Sequence, residues 1–298
     1  LDENFTQGRQ ARQGFVFLLC VFAPLRETDF YFQGSFVMTN LESYRRFLKA
    51  DVWEEWDHAQ SDQNNKVAAP PLQKPYPADA PLIDLIPPAD FTVGDMPLRE
   101  AIARRQSRRQ FGDAPLTLED LSFLLWAAQG VQEIWRGGIA SRRTVPSAGS
   151  RHPFETYLLV NHVESLTPGV YRYLALEHKL LFLRPLPPLE AAVEAFSGQK
   201  FVAQCAVTFI WTVIPYRTEW RYGMVAHKVI AMDIGHACQN LYLACESIGT
   251  GTCAIGAYHQ KKLDALLELD GVEEFAIYVA PVGKLSRYPP RQKAPIAG

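Results

Sequence analysis

The chain has 298 residues, enough to bury a full core in one large domain or two small ones. It is 48% apolar and 21% charged, as an ordinary globular protein is. A formal charge of −2 supplies no global field for nucleic acid, so each basic cluster is read as a local device. The apolar run at residues 14–25 is too short for a bilayer, which takes roughly 20 residues, so no membrane partner is expected. Five cysteines (Cys20, Cys205, Cys238, Cys245 and Cys253) show no CxxC pair and no metal-ligand spacing. They read as reduced, mostly buried thiols of a cytoplasmic protein. Cys238 and Cys245 fall near one face of a helix, which favours packing over redox chemistry.

In chain order, Tyr31-Phe32-Gln33-Gly34-Ser35 resembles the end of a viral-protease tag-removal site, with Met38 close behind. Residues 1–37 are therefore expected to be an appended extension outside the fold. Leu41, Tyr44, Phe47 and Leu48 have helical spacing, with Asn40 as a cap. Residues 57–66 are polar and expected to be exposed. Residues 68–88 are rich in proline, which excludes helix and favours an extended strap, and Leu82, Ile83, Leu85 and Ile86 argue that part of it docks. Residues 38–96 form this helix and arm, and residues 97–298 the main domain.

Pro97 opens a first helix of that domain. Thr117 caps a second, which carries Leu121, Leu124, Leu125 and Ala128 on one face and closes at Gly130. Strands are expected at 156–161, 170–174, 179–183 and 206–213, the last so apolar that it should be central and covered on both faces. A long helix spans 225–248 up to Gly249, a short one 260–267, and a strand at 274–282 closes the domain. Helices and strands alternate irregularly, which points to an α+β layered fold.

Four scattered segments carry the chemistry. Arg104 to Arg109 holds four arginines and Ser107, suited to grip a phosphate or a polar ring edge. Residues 144–153, including Pro146, Ser147, Ala148 and Gly149, form a small-residue loop where backbone can approach a flat ligand. Residues 249–257 alternate three glycines with small residues. They follow a helix rather than a strand, so the dinucleotide fingerprint fails on context, and GK[ST] is missing. Lys284 closes the last strand, ahead of Arg287, Arg291 and Lys293.

In this order the segments resemble the FMN-dependent nitroreductase superfamily, and within it the SagB-type dehydrogenases associated with azoline oxidation. The resemblance runs from about residue 70 to 284, through PPLQKPYPADAPLIDL, SRRQFGDAPLTLEDLSFLLWAAQG, RTVPSAGSRHPFETYLLV, DIGHACQNLYLACESIGTGTCAIGAY and LLELDGVEEFAIYVAPVGK. It implies an α+β fold with a mainly antiparallel sheet flanked by helices. It also implies an interlocked homodimer with an FMN at each of two subunit interfaces.

On that resemblance Arg105, Ser107 and Arg109 hold the FMN phosphate and ring edge, with Gln106 where a second Arg is common. Pro146, Ser147, Ala148 and Gly149 cover the flavin from the partner subunit. Gly251, Cys253, Ala254, Ile255 and Gly256 lie beside the isoalloxazine. Arg291, with Lys284 behind it, reaches the phosphate. Arg221-Tyr222 stands where thiazole-forming members carry a Lys-Tyr pair. An Arg stays protonated, so Tyr222 would be the base and Arg221 its helper. The plain alternative is that Tyr222 only packs and Arg221 pairs with Glu219. His236 is expected to cap or pack in the core. His227 is open, and His152 lies beside the loop, within reach of substrate or phosphate.

The favoured activity is oxidation of a peptide-derived or natural-product substrate by hydride transfer to FMN. The alternatives are an NAD(P)H-dependent reductase of nitro, quinone or flavin acceptors, and a flavin-binding subunit of a biosynthetic complex without turnover of its own.

Overall fold

The computed structural model describes residues 41–286. Residues 1–37, Met38, the cap Asn40, Arg287, Arg291 and Lys293 lie outside the described residues. The chain divides into two units, Leu1–Tyr44 and Arg45–Gly298. Only the last four residues of the first are described, and they start α1 (Leu41–Leu48).

Two short elements open the second unit, helix α2 (Val52–Glu55) and strand β1 (Leu82–Asp84). Helices α3 (Leu98–Arg104) and α4 (Leu118–Gln129) follow, then a hairpin of β2 (Val131–Trp135) and β3 (Ala140–Arg143). Strands β4 (Phe154–Val160), β5 (Gly169–Leu174) and β6 (Lys179–Pro185) lead to α5 (Leu189–Ala195) and β7 (Val207–Val213). Helix α6 (Tyr216–Tyr222) runs into the long α7 (Ala226–Ser247). Strand β8 (Thr250–Thr252), helix α8 (Gln260–Leu266) and strand β9 (Phe275–Lys284) complete the order.

The main sheet has the order β1-β6-β5-β4-β7-β9-β8, and every neighbouring pair is antiparallel. Every residue of β4 and β7 is buried, because alternate side chains serve two different cores. Leu158, Phe209 and Trp211 join α4 and α7 on one face. Tyr157, Leu159 and Ile210 join α5 and α8 on the other. The two outermost strands, β1 and β8, are three residues each.

Thr117 caps α4 in a reciprocal capping box with Asp120, and Gly130 ends the helix. Helix α7 buries Ile230, Ile234, Ala237, Cys238, Leu241 and Cys245, and stops before Gly249, whose φ of +71° suits only glycine without strain. Burial pushes the Cys238 and Cys245 thiols up to about 12, so both are protonated packing groups. No helix among the described residues is long and apolar enough to cross a membrane, and no cluster of metal-ligating side chains occurs among them.

The proline arm docks: Leu72 and Leu85 are buried, β1 pairs with β6, and the Lys74 amide donates to Glu155 Oε1 at 2.7 Å. Residues 57–66 are not simply exposed. Ser61 is buried, and the Gln63 amide donates to the Trp220 carbonyl at 2.9 Å, so a polar stretch is held by hydrogen bonds where apolar periodicity is absent. The β2–β3 hairpin, α5 and β8 were also not anticipated. Thr-Gly-Thr has the composition of a loop and becomes a strand only because β9 offers it an edge.

Candidate functional site

The arginine cluster splits by geometry. Helix α3 ends at Arg104, and Arg105 turns the chain into extended backbone (φ −50°, ψ 122°), so alternate side chains face opposite ways. Arg104 pairs with Glu100 at 2.5 Å. Arg108 grips the buried carboxylate of Glu246 with two nitrogens, at 2.9 and 3.1 Å. These two guanidiniums are structural. Arg105 and Arg109 form no ion pair among the described residues, and Ser107 lies between them on the exposed side.

Ser107 is also tied to the small-residue segment. It bridges Thr252, and the Arg108 amide donates to the Thr252 carbonyl at 2.9 Å. Tyr242, on α7, joins the pieces. Its hydroxyl accepts the Ala254 amide at 2.8 Å and lies 3.1 Å from Ser107 Oγ, while the Arg105 guanidinium sits over its ring at 5.5 Å. Burial holds this phenol in its protonated form. Either hydroxyl can donate across the Tyr242–Ser107 contact, and Ser107 itself is exposed. Within the segment Ala254 and Gly256 reach the surface, and a Cβ at Gly256 would meet open space. Gly251, Cys253 and Ile255 are buried, and Gly251 packs against Arg108 and Leu285. Lys284 is engaged by Asp120 at 2.8 Å, at the start of α4.

A second cluster gathers around the loop at Pro146 to Gly149. Asp233 on α7 accepts from the Ser147 hydroxyl at 2.6 Å and from the Ala148 amide at 3.0 Å, and Ser147 Oγ accepts the His152 amide at 2.9 Å. Burial raises the Asp233 carboxyl above its ordinary value, and the two loop donors pull it back. Gly149, at φ +59°, lies so close to Tyr222 and Arg221 that an added Cβ would stand 2.8 Å from the Tyr222 hydroxyl. Arg221 donates to Gln63 Oε1 at 3.2 Å and its guanidinium lies 5.4 Å from the Tyr222 ring centre. It does not pair with Glu219, which takes His227 Nε2 at 2.8 Å.

Two histidines depart from expectation. His236 is exposed, on the outer face of α7, rather than packed in the core. His152 is buried, and desolvation with the nearby Arg143 pushes its pKa down to about 2, so it is a neutral internal group rather than an anion contact. Sequence reasoning missed Tyr242, Asp233 and Gln63. The first two carried one readable signal, polar groups falling on the apolar stripe of α7.

The two clusters both rest on α7, but nine residues apart, roughly 14 Å along its axis.

A family model described as "Nitroreductase family" matches residues 102–284. A Methanocaldococcus jannaschii protein named for the same family, MJ1384, is 33% identical over 192 residues, 64% of this chain and 93% of its own. The trifolitoxin-processing protein TfxB of Rhizobium leguminosarum is 26% identical over 174 residues, 54% of this chain but only 46% of TfxB. A chain in the structure of the E. coli microcin synthetase McbBCD complex with truncated pro-MccB17 bound shares the fold. It aligns at a TM-score of 0.51 and 18% identity, covering 83% of this chain and 98% of that one. With well over half its length matched by the family model, this chain belongs to the nitroreductase family.

Proposed function

We propose that the protein is an FMN-dependent dehydrogenase that oxidises a peptide-derived substrate as a homodimer. The observation that carries this reading is the cluster of Arg105, Ser107, Tyr242 and Ala254. Three elements distant in sequence meet there, two cations with no carboxylate partner among the described residues flank an exposed serine, and a glycine opens onto free space. Such a donor set fits the phosphate and polar rim of FMN. FMN held there would supply the hydride-accepting chemistry.

The protein's own residues do the rest. Arg105, Ser107 and Arg109 hold the cofactor. The loop at Pro146 to Gly149, pinned by Asp233, covers it from the other subunit and excludes water. Tyr222 takes the proton released when the substrate gives up its hydride, and Arg221 beside its ring stabilises the negative charge that develops on the oxygen. The roughly 14 Å between the clusters supports a site shared by two copies, as does the exposed row Met232, Gly235, His236 and Gln239 on α7. TfxB and the microcin synthetase, by their names, work on precursors of this kind, which supports the substrate class.

Arg221 favours a second reading, an NAD(P)H-dependent reductase, because an always-protonated side chain is no base. Following the visible spectrum during anaerobic addition of NADPH and then NADH separates the two. A flavin band that persists is expected. Rapid bleaching would overturn the dehydrogenase reading in favour of the reductase.

A further inference from the structure

The chain ahead of the family-matched stretch folds back onto α6 and forms with it an open cavity of about 330 Å³. Trp56, Ser61 and Asp62 form one wall, and Tyr216, Glu219 and Met224 the other. The wall is latched in place. Tyr216 donates to Asp62 Oδ2 at 2.8 Å, the Gln63 amide donates to the Trp220 carbonyl, and Trp220 Nε1 donates to the Val67 carbonyl at 2.9 Å. The Trp56 ring stands directly on Gly223, where a Cβ would come within 2.2 Å of it.

The lining holds two carboxylates and neither a lysine nor an arginine. Asp62 is held by a neutral phenol and Glu219 by the half-exposed His227, so both keep lone pairs for a further donor. Two aromatic rings beside two carboxylates suit a cation on an apolar stem: the rings take the stem and the face of the charge, and the carboxylates take its N–H groups. Two of its lining residues flank the candidate base along the chain. Glu219 lies one turn before Tyr222 on α6, Gly223 follows it, and the Trp53 ring meets the Tyr222 ring edge-on at 5.9 Å.

We propose that this cavity recognises a cationic side chain, arginine or lysine, of the substrate, next to the bond oxidised at Tyr222. The placement beside the reacting bond rests on the reading of Tyr222 above. The cation preference rests on the cavity itself. Because four of the nine lining residues, Asp62 among them, precede residue 102, the preference goes beyond the family-matched stretch.

The test is calorimetric titration of the flavin-loaded protein with N-acetyl-arginine amide and with its neutral isostere, N-acetyl-citrulline amide. The arginine probe is expected to bind on the order of tenfold tighter, the difference a charge-assisted contact makes. Asp62→Asn and Glu219→Gln should each shrink that lead and the double variant abolish it, with far-UV circular dichroism and flavin content unchanged. Equal affinities, no heat from either probe up to ~20 mM, or a lead that survives in the double variant would overturn the proposal. Tyr222→Phe separates the two readings. Unchanged turnover in that variant removes the base role, while the arginine lead and its dependence on Asp62 and Glu219 stand or fall independently.

Discussion

Between Arg104 and Arg109 the side chains alternate in role because the backbone leaves α3 extended. The sequence marks the segment as basic. Only the geometry divides it into guanidiniums committed to Glu100 and Glu246 and guanidiniums with no carboxylate among the described residues. Arg105→Ala is expected to weaken FMN binding roughly tenfold or more through loss of a charge-assisted contact, read as flavin content after gel filtration. Arg108→Ala should instead lower stability by about 3 kcal/mol, because it strips the buried Glu246 of its bidentate partner, and a thermal melt would show it. His152 makes a pH prediction. Its pKa is about 2 in the fold against an ordinary 6.5, so only the unfolded chain takes up this proton between those values. The stabilisation is whole above pH 6.5 and is lost as pH falls below it, by about 2 kcal/mol at pH 5. Urea midpoints at pH 7 and 5 should therefore lie further apart in the wild type than in His152→Asn, whose side chain tolerates the local φ of +44°. Tyr242 and Asp233 show in the sequence as polar groups on an apolar stripe, but their partners do not, for a physical reason. Each is an ordinary polar residue until tertiary contact brings Ser107, Ala254 or Ser147 to it.

Elements with strong local signals were the legible ones. Helix α4 announced both ends through Thr117 and Gly130, α7 through its length and Gly249, and β7 through an apolar run that only a covered central strand explains. Elements defined by a partner were not. β8 needs the edge of β9, and residues 57–66 need the carbonyls and side chains of α6. Gly223 tests that second dependence. It has φ +48° and ψ −131°, a conformation open only to glycine, with the Trp56 ring pressed on its Cα. Gly223→Ala should cost about 1–2 kcal/mol locally and release residues 52–66. Limited proteolysis with mass spectrometry should find new cuts there. An unchanged digestion pattern would mean that the segment is held without this contact.

For the whole molecule, the separation of the two clusters along α7 makes assembly and cofactor binding a single question. Met232 is 53% exposed on the outer row of that helix. Met232→Glu is expected to yield a monomer that has lost its flavin, seen as coincident loss of dimer mass and visible absorbance on a sizing column. A yellow monomer would contradict the shared site. The sheet has a further consequence through its rims. A seven-stranded antiparallel sheet exposes backbone donors and acceptors at both margins, and those margins are where identical chains recruit one another into fibrils. Here each margin is a strand of three residues, one emerging from a proline-rich arm and the other from a glycine-punctuated turn. Neither offers the six or so flat consecutive residues that intermolecular templating requires. Crowded copies of this protein can therefore meet through helix faces without the sheet propagating from one molecule to the next.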